Sequence, residues 1–290
     1  MLSLGEHFFY LHEPFNNRMR RRYPAVYGRP FAYFYPYLRP ADQGAPGMSE
    51  FMAWAVGGPE PACWQQAGKT SWSGDELTHL EELRQARGQG RAALIKDPVA
   101  VLALEWVMAR HELPVLAMVR HPAEFVRSVM QLEWHVGPGF FLQQEAFMAT
   151  LPHDLAGRIE ALHGSRDRLR KAALMWTVMN YHIHRVAAGA NGRIRMVRHE
   201  DLAADPRQGF SGLLTAMGIA DDIRPEEIAE WSGPHNPAQP RALWVIKRDS
   251  RGNYGRWREW FSPNQIEAIR EIAEPLSREL GYEFDSREGT

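Results

Sequence analysis

The chain has little cysteine and no histidine spacing that would suit a metal. Among its 290 residues there is one cysteine, Cys63, which excludes an internal disulfide and a cysteine-rich zinc site. The twelve histidines never fall at i, i+4, the spacing at which one face of a helix presents two zinc ligands. We therefore expect no metal site. The fold then depends on its core, for which an apolar content of 44% suffices.

Long apolar runs and a strong net charge are lacking too. No run approaches the roughly 18 apolar residues of a membrane span. The N-terminal sequence does not have the basic-then-apolar order of a signal peptide. These features predict a cytoplasmic protein without a membrane span. A formal net charge of −1 disfavours nucleic acid as a partner but allows a local basic pocket for an anionic ligand.

Two glycine-containing segments imitate nucleotide-binding loops without completing one. Gly68–Thr70 has the end of a phosphate loop, but Cys63 stands where the first glycine is required. Gly88–Ala93 imitates a dinucleotide fingerprint, yet it precedes a predicted strand instead of following one. A small-molecule kinase needs a complete phosphate loop and carboxylates for Mg²⁺. Since neither is evident in the sequence, a kinase is the less favoured class of enzyme.

Strand and helix patterns alternate along the chain. Short apolar segments predict strands at His7–His12, Ala92–Lys96, Pro114–Val119 and Arg193–Val197. Helical spacing predicts helices at Asp75–Arg87, Pro98–Glu112, Pro122–Trp134, Leu169–Ala188, Arg207–Met217 and Ser262–Leu280. This order predicts an α/β fold, with a parallel central sheet flanked by helices, in a single domain over residues 1–290. Residues 232–256, rich in Gly, Pro and Asn, predict a functional loop.

The segment from Arg120 to Ser128 combines three features that suit a phosphate group. The predicted strand delivers Arg120 to its carboxyl end, where open α/β sheets bind ligands. Pro122 begins a helix whose first N–H groups favour an anion. Ser128, nearly two turns further on, adds a hydroxyl donor. The spacing alone is equally compatible with a surface arginine and a solvated serine.

This segment resembles the nucleotide-binding junction of the sulfotransferase superfamily, which uses 3′-phosphoadenosine 5′-phosphosulfate (PAPS) as donor. In that family, an R-x-P strand–helix junction binds the 3′-phosphate together with a serine eight residues after the arginine. Arg120, Pro122 and Ser128 match this pattern. Other matching pieces follow the family's order along nearly the whole chain, namely Lys96–Pro98, His199–Leu202 with Pro206, Arg256–Arg258 and Leu280–Tyr282. The resemblance implies a phosphate-loop-like sulfotransferase fold and a reaction without a metal.

The resemblance also implies a general base. In the carbohydrate- and protein-tyrosine-modifying branches, a glutamate after an early strand takes this role, and Glu13 is the matching residue. His12 is the second candidate, because histidine serves in other branches and titrates near neutral pH. Alternatively, Glu13 caps local backbone or pairs with one of the arginines at positions 18–22.

Further residues are implied around the donor and the acceptor. Lys247, Arg248 and Arg251 could close over the 3′-phosphate, or form a solvated basic loop. Trp176 and His199 could flank the adenine, although Trp176 fits the core better. The aromatic residues near the chain start form either a platform for a sugar or ordinary packing, and include Tyr33, Phe34, Tyr35 and Tyr37. The E-P-F-N segment after the first predicted strand favours a carbohydrate or glycolipid hydroxyl as acceptor.

One element of the family pattern has no match in the chain. The glycine-rich P-x-x-G-T loop that binds the 5′-phosphosulfate lies before the E-P segment in relatives, whereas only twelve residues precede Glu13 here. The resemblance therefore implies a sulfotransferase fold in which the first strand and its loop are missing. A nucleotide-binding protein of the same fold with impaired catalysis is the alternative function.

Overall fold

The computed structural model describes residues 7–44, 47–67, 71–134, 137–219, 224–236, 249, 251–252 and 255–284. Contacts within the chain divide it into two compact units, Met1–Pro114 and Val115–Thr290. The single domain over the whole chain stays a prediction. Among the described residues, no helix combines the length and apolar character needed to cross a membrane.

The first unit is built on one pair of parallel strands. Strand β1 (Phe8–His12) pairs with β2 (Ala92–Lys96), with Phe8 opposite Ala92 and His12 opposite Lys96. The helices are α1 (Asn17–Arg22), α2 (Pro24–Tyr27), α3 (Met48–Ala55), α4 (Gly74–Gly88) and α5 (Leu104–Arg110), with 3₁₀ segments at Ala62–Gln66 and Pro98–Ala103. The core is rich in aromatic side chains, among them Phe15, Trp54, Trp64 and Trp106.

The second unit also contains one parallel pair, in which β3 (Val115–Val119) lies beside β4 (Ile194–Arg198). Helix α10 (Arg168–Ala188) packs mainly against α6 (Pro122–Gln131), α9 (His153–His163) and α15 (Pro263–Ala273). The remaining helices are α7 (Gly139–Leu142), α8 (Glu145–Met148), α11 (His199–Ala204), α12 (Pro206–Ala216), α13 (Pro225–Ser232), α14 (Trp257–Trp260) and α16 (Leu276–Glu279).

The α/β composition and the parallel pairing confirm the predicted class, with two corrections. The predicted central sheet is instead two separate pairs of strands among the described residues. The predicted helix Ser262–Leu280 is interrupted, because Pro275 has no N–H and its ring prevents continuation. Its start is as predicted, with the Ser262 side chain capping the helix before Pro263. Most of the predicted loop 232–256 lies outside the described residues, including Lys247 and Arg248.

Candidate functional site

The junction between β3 and α6 places Arg120 at the carboxyl end of a parallel strand pair. Its backbone is anchored from α10, since the indole Nε1 of Trp176 donates to the Arg120 carbonyl oxygen at 2.8 Å. Trp176 is buried, as its core interpretation predicted. Thus the strand end is rigidly held, which favours a precisely oriented side chain.

Arg120 and Ser128 are in direct contact. Nη1 of Arg120 donates to Oγ of Ser128 at 3.0 Å. Because the serine oxygen accepts this bond, the hydroxyl proton is directed elsewhere and can be donated to a ligand. A guanidinium and a hydroxyl side by side are two donors suited to the oxygens of one phosphate group.

A buried carboxylate that the sequence interpretation missed belongs to the same cluster. Oε2 of Glu124 lies 3.3 Å from Nη2 of Arg120 and 2.9 Å from Nη2 of Arg127. The other carboxylate oxygen accepts the backbone N–H of Trp257 at 3.1 Å. Two guanidiniums against one carboxylate leave one positive charge, so the cluster still attracts an anion. The i, i+3 and i, i+4 spacing on a helix was the signal that could have identified it.

The helix start contributes less to anion binding than the sequence suggested. The Nδ1 atom of His121 accepts the N–H of Ala123 at 3.1 Å. The carbonyl oxygen of His121 accepts the N–H of Phe125 at 3.0 Å. Since His121 already occupies these N–H groups, the side chains of Arg120 and Ser128 carry most of the proposed recognition.

The ring of His121 is the point at which the other matching segments of the chain meet. It stacks on Trp257 with ring centres 4.7 Å apart, and Tyr282 meets it edge-on at 5.5 Å. The Glu200 carboxylate accepts the backbone N–H of His121 at 2.8 Å and the Tyr282 hydroxyl at 2.9 Å. Burial, and then the Glu200 carboxylate, raise the pKa of Tyr282, so the hydroxyl stays a donor. These segments therefore pack around the junction between β3 and α6.

Among the described residues, the remaining donor-site candidates of the second unit are His199 and Arg251. His199 is the first residue of α11 and is half-buried. Arg251 is exposed in a turn. Their roles at the adenine and the 3′-phosphate stay predictions.

In the first unit, Glu13 follows β1 directly and has a left-handed backbone, with φ of 52°. This conformation costs a non-glycine residue about 1–3 kcal/mol, and residues held in it cluster at functional sites. Its N–H donates to the Lys96 carbonyl oxygen at 2.9 Å, extending the pairing of β1 and β2 by one bond. The strand register therefore fixes where the carboxylate lies.

The Glu13 carboxylate pairs with Lys96 and Asn16, not with an arginine of positions 18–22. Nζ of Lys96 lies 2.5 Å from Oε1, and Nδ2 of Asn16 donates to Oε2 at 2.8 Å. Burial would raise the pKa of Glu13, but the hydrogen bonds from Lys96 and Asn16 outweigh it and lower the pKa. Glu13 is therefore ionised at neutral pH and able to accept a proton.

His12, the second base candidate, lies beside Glu13 in a more open position. Its Nε2 is 3.9 Å from Oε1 of Glu13, and its Nδ1 is 2.9 Å from the hydroxyl oxygen of Tyr10. The His12 side chain is 51% exposed, whereas that of Glu13 is 14% exposed. Because a partly buried carboxylate with fixed partners is the better oriented acceptor, Glu13 remains the first candidate.

Asp97 fixes the turn that carries Glu13. One carboxylate oxygen accepts the N–H of Phe15 at 2.6 Å. The other accepts the N–H groups of Val99 and Ala100 at 2.9 and 3.2 Å. Burial raises the pKa of Asp97 to about 6, against the lowering effect of these donors. At and above neutral pH, the carboxylate joins the turn after β1 to the end of β2.

Comparisons with known proteins give a limited result. No family model matches the chain, and no curated protein matches it. Among solved structures, the chain is similar to the sulfotransferase domain from the Synechococcus PCC 7002 olefin synthase, with 15% identity over 95% of this chain and 94% of that chain, at a TM-score of 0.48. It is also similar to the sulfotransferase domain from the curacin biosynthetic pathway, with 14% identity over 95% and 97% of the two chains, at a TM-score of 0.48.

Proposed function

We propose that this protein transfers a sulfuryl group from PAPS to a hydroxyl group, and that the acceptor is a carbohydrate or glycolipid. The observation that carries the proposal is the contact between Arg120 and Ser128 at the carboxyl end of β3. The planar guanidinium fork of an arginine matches the oxygens of a terminal phosphate. Since Arg120 and Arg127 together leave one positive charge beyond that of Glu124, these residues fit the 3′-phosphate end of the nucleotide.

When bound, PAPS would supply the activated sulfuryl group and release the nucleotide bisphosphate as leaving group. The residues of the chain would mainly position the reactants, as in phosphoryl transfer. Arg120 and Ser128 would hold the 3′-phosphate and thereby set the orientation of the nucleotide. Glu13 would accept the proton of the acceptor hydroxyl on its carboxylate. Lys96, in contact with Oε1 of Glu13, keeps that carboxylate ionised and oriented.

The proposal is tested by nucleotide binding and by transfer, measured on the same variants. The wild type should bind 3′-phosphoadenosine 5′-phosphate more tightly than adenosine 5′-phosphate, which has no 3′-phosphate. Arg120→Ala should weaken binding of the bisphosphate by about ten- to a hundredfold and abolish this preference, because a charge-assisted hydrogen bond is removed. Arg195→Ala, which removes an exposed arginine near the amino end of β4, should leave the preference intact.

Glu13→Gln completes the experiment. It should keep the nucleotide preference and lose transfer to a panel of glycan acceptors from radiolabelled PAPS, since an amide cannot accept the proton. An Arg120→Ala variant that keeps the preference would refute the site. Nucleotide binding by the wild type without transfer to any acceptor would favour the alternative, a nucleotide-binding protein of impaired catalysis.

A further inference from the structure

Helix α1 carries a cluster of positive charge. Residues 14–38 contain five arginines and no acidic residue, although the whole chain has a net charge of −1. Arg18, Arg21 and Arg22 are all exposed. Their i, i+3, i+4 spacing places them on one face of the helix, where like charges repel. Soluble proteins usually intersperse both signs of charge on their surface, so this face needs an explanation.

Arg20, on the same helix, points inward and brings a fourth exposed arginine to this surface. Its side chain is fully buried, and its Nε donates to the carbonyl oxygen of Arg29 at 2.9 Å. Its guanidinium lies 4.4 Å from the ring centre of Phe31. Arg29 itself is exposed, and this hydrogen bond fixes it beside α1. We call Arg18, Arg21, Arg22 and Arg29 the arginine patch.

The guanidinium of Arg20 is also incompletely hydrogen-bonded. Nη1 of Arg20 is buried and has no hydrogen-bond partner among the residues that the structure describes. A buried guanidinium without a carboxylate costs free energy, and the four positive charges of the patch add to the repulsion. An anion bound at the exposed arginines would reduce this repulsion without contacting the buried Arg20 itself. The arrangement is therefore suited to a ligand with several anionic groups.

The patch is joined to the Glu13 carboxylate by a single side chain. Oδ1 of Asn16 accepts the N–H of Arg18 at 2.9 Å and caps α1, while its Nδ2 donates to Oε2 of Glu13 at 2.8 Å. The next residue, Asn17, donates to the carbonyl oxygen of Tyr33 at 3.4 Å. Tyr33 has an exposed aromatic ring. A ligand lying on α1 would thus meet the basic face and, at the start of the helix, an aromatic ring and the candidate base.

We propose that the arginine patch binds an anionic glycan, one that carries sulfate or carboxylate groups, as the acceptor of the reaction. The acceptor role rests on the proposed function, whereas the binding itself does not. Guanidinium groups suit sulfate and carboxylate oxygens. The helix is about 9 Å long, enough for a short anionic segment. The net charge of −1 on the whole chain disfavours the extended basic surface that nucleic acid requires.

The test compares two variants that lose the same charge. The patch variant combines Arg18→Gln, Arg21→Gln and Arg22→Gln. The control combines Arg166→Gln, Arg168→Gln and Arg207→Gln, which are exposed arginines of the second unit. Binding of a sulfated hexasaccharide is measured by calorimetry at several salt concentrations. The patch variant should bind about tenfold more weakly or worse, and its salt dependence should fall by about one counterion per arginine. The control should bind like the wild type.

Three outcomes would overturn the proposal. These are equal binding by the patch variant and the wild type, equal weakening of the patch and control variants, and binding of single-stranded DNA of equal charge to the wild type as tightly as the sulfated sugar. Circular dichroism and binding of 3′-phosphoadenosine 5′-phosphate show whether the patch variant stays folded. Retained nucleotide binding with lost sugar binding supports the patch. Absent nucleotide binding in the wild type refutes the donor site alone.

Discussion

At the scale of single residues, Lys96 gives Glu13 its proposed chemical character. The carboxylate is mostly buried, which by itself favours the protonated acid. The ammonium group of Lys96 at 2.5 Å and the amide of Asn16 at 2.8 Å reverse that tendency. A base that is always ionised can accept a proton over the whole neutral pH range, although its low basicity makes the transfer depend on orientation.

Lys96→Met should therefore raise the pKa of Glu13. Burial remains in the variant, while the largest of the lowering contributions is removed. The pKa is measured from the pH titration of the Glu13 side-chain carboxyl carbon by NMR. Lys171→Met is the matched control, because it removes a lysine that donates to the His163 carbonyl oxygen in the second unit. An unchanged titration of Glu13 in Lys96→Met would show that the ion pair does not set its charge state.

At the scale of elements, two Asp-Pro dipeptides begin helical segments, but the two carboxylates accept different numbers of backbone N–H groups. Asp97 precedes Pro98 and accepts three backbone N–H groups, including that of Phe15 from the turn after β1. Asp205 precedes Pro206, is exposed, and accepts only the N–H of Gln208 among the described hydrogen bonds. Asp97 therefore acts as a tether between elements, whereas Asp205 acts as a local helix cap.

Replacement by alanine should separate these two roles. Asp205→Ala should lower the free energy of unfolding by about 1 kcal/mol, which is typical of a lost cap. Asp97→Ala should lower it by about 2 kcal/mol or more, because buried N–H groups lose their acceptor. Both are measured by urea unfolding at pH 7.5, where the carboxylate of Asp97 is ionised. Equal losses in the two variants would mean that the bond to Phe15 contributes nothing to stability.

The elements also show what the sequence can and cannot predict. Ala92–Lys96 has the predicted bounds, and Pro122 and Pro263 begin helices as predicted, because these signals are local. Glu13 and Lys96 are 83 residues apart in sequence, and their pairing depends on the register of two strands, which periodicity cannot provide. The same holds for the ring contacts of His121, whose partners Trp257 and Tyr282 come from distant segments.

At the scale of the whole molecule, a net charge near zero coexists with an uneven distribution of charged residues along the chain. Every charged residue of the segment 14–38 is an arginine, while the chain as a whole has a net charge of −1. Most titratable side chains lie at the surface, where protonation changes stability little. His182 differs, since it lies in the core of the second unit on α10, and its Nδ1 accepts from Nη2 of Arg185 at 3.3 Å. Its burial therefore makes the stability of that unit depend on pH.

Burial, and then the charge of Arg185, lower the pKa of His182 to about 3. The unfolded histidine takes up a proton below about pH 6.5, whereas the folded one does not until far lower pH. The stabilising effect is thus complete above pH 6.5 and declines as the pH falls, by about 2 kcal/mol between pH 7 and pH 5. In urea unfolding, His182→Gln should show a flatter pH profile over this range. The neighbouring His184, whose side chain is 43% exposed, provides the control, and His184→Gln should keep the wild-type slope. A wild-type slope in His182→Gln would mean that His182 takes up its proton over the same pH range in the folded and the unfolded protein.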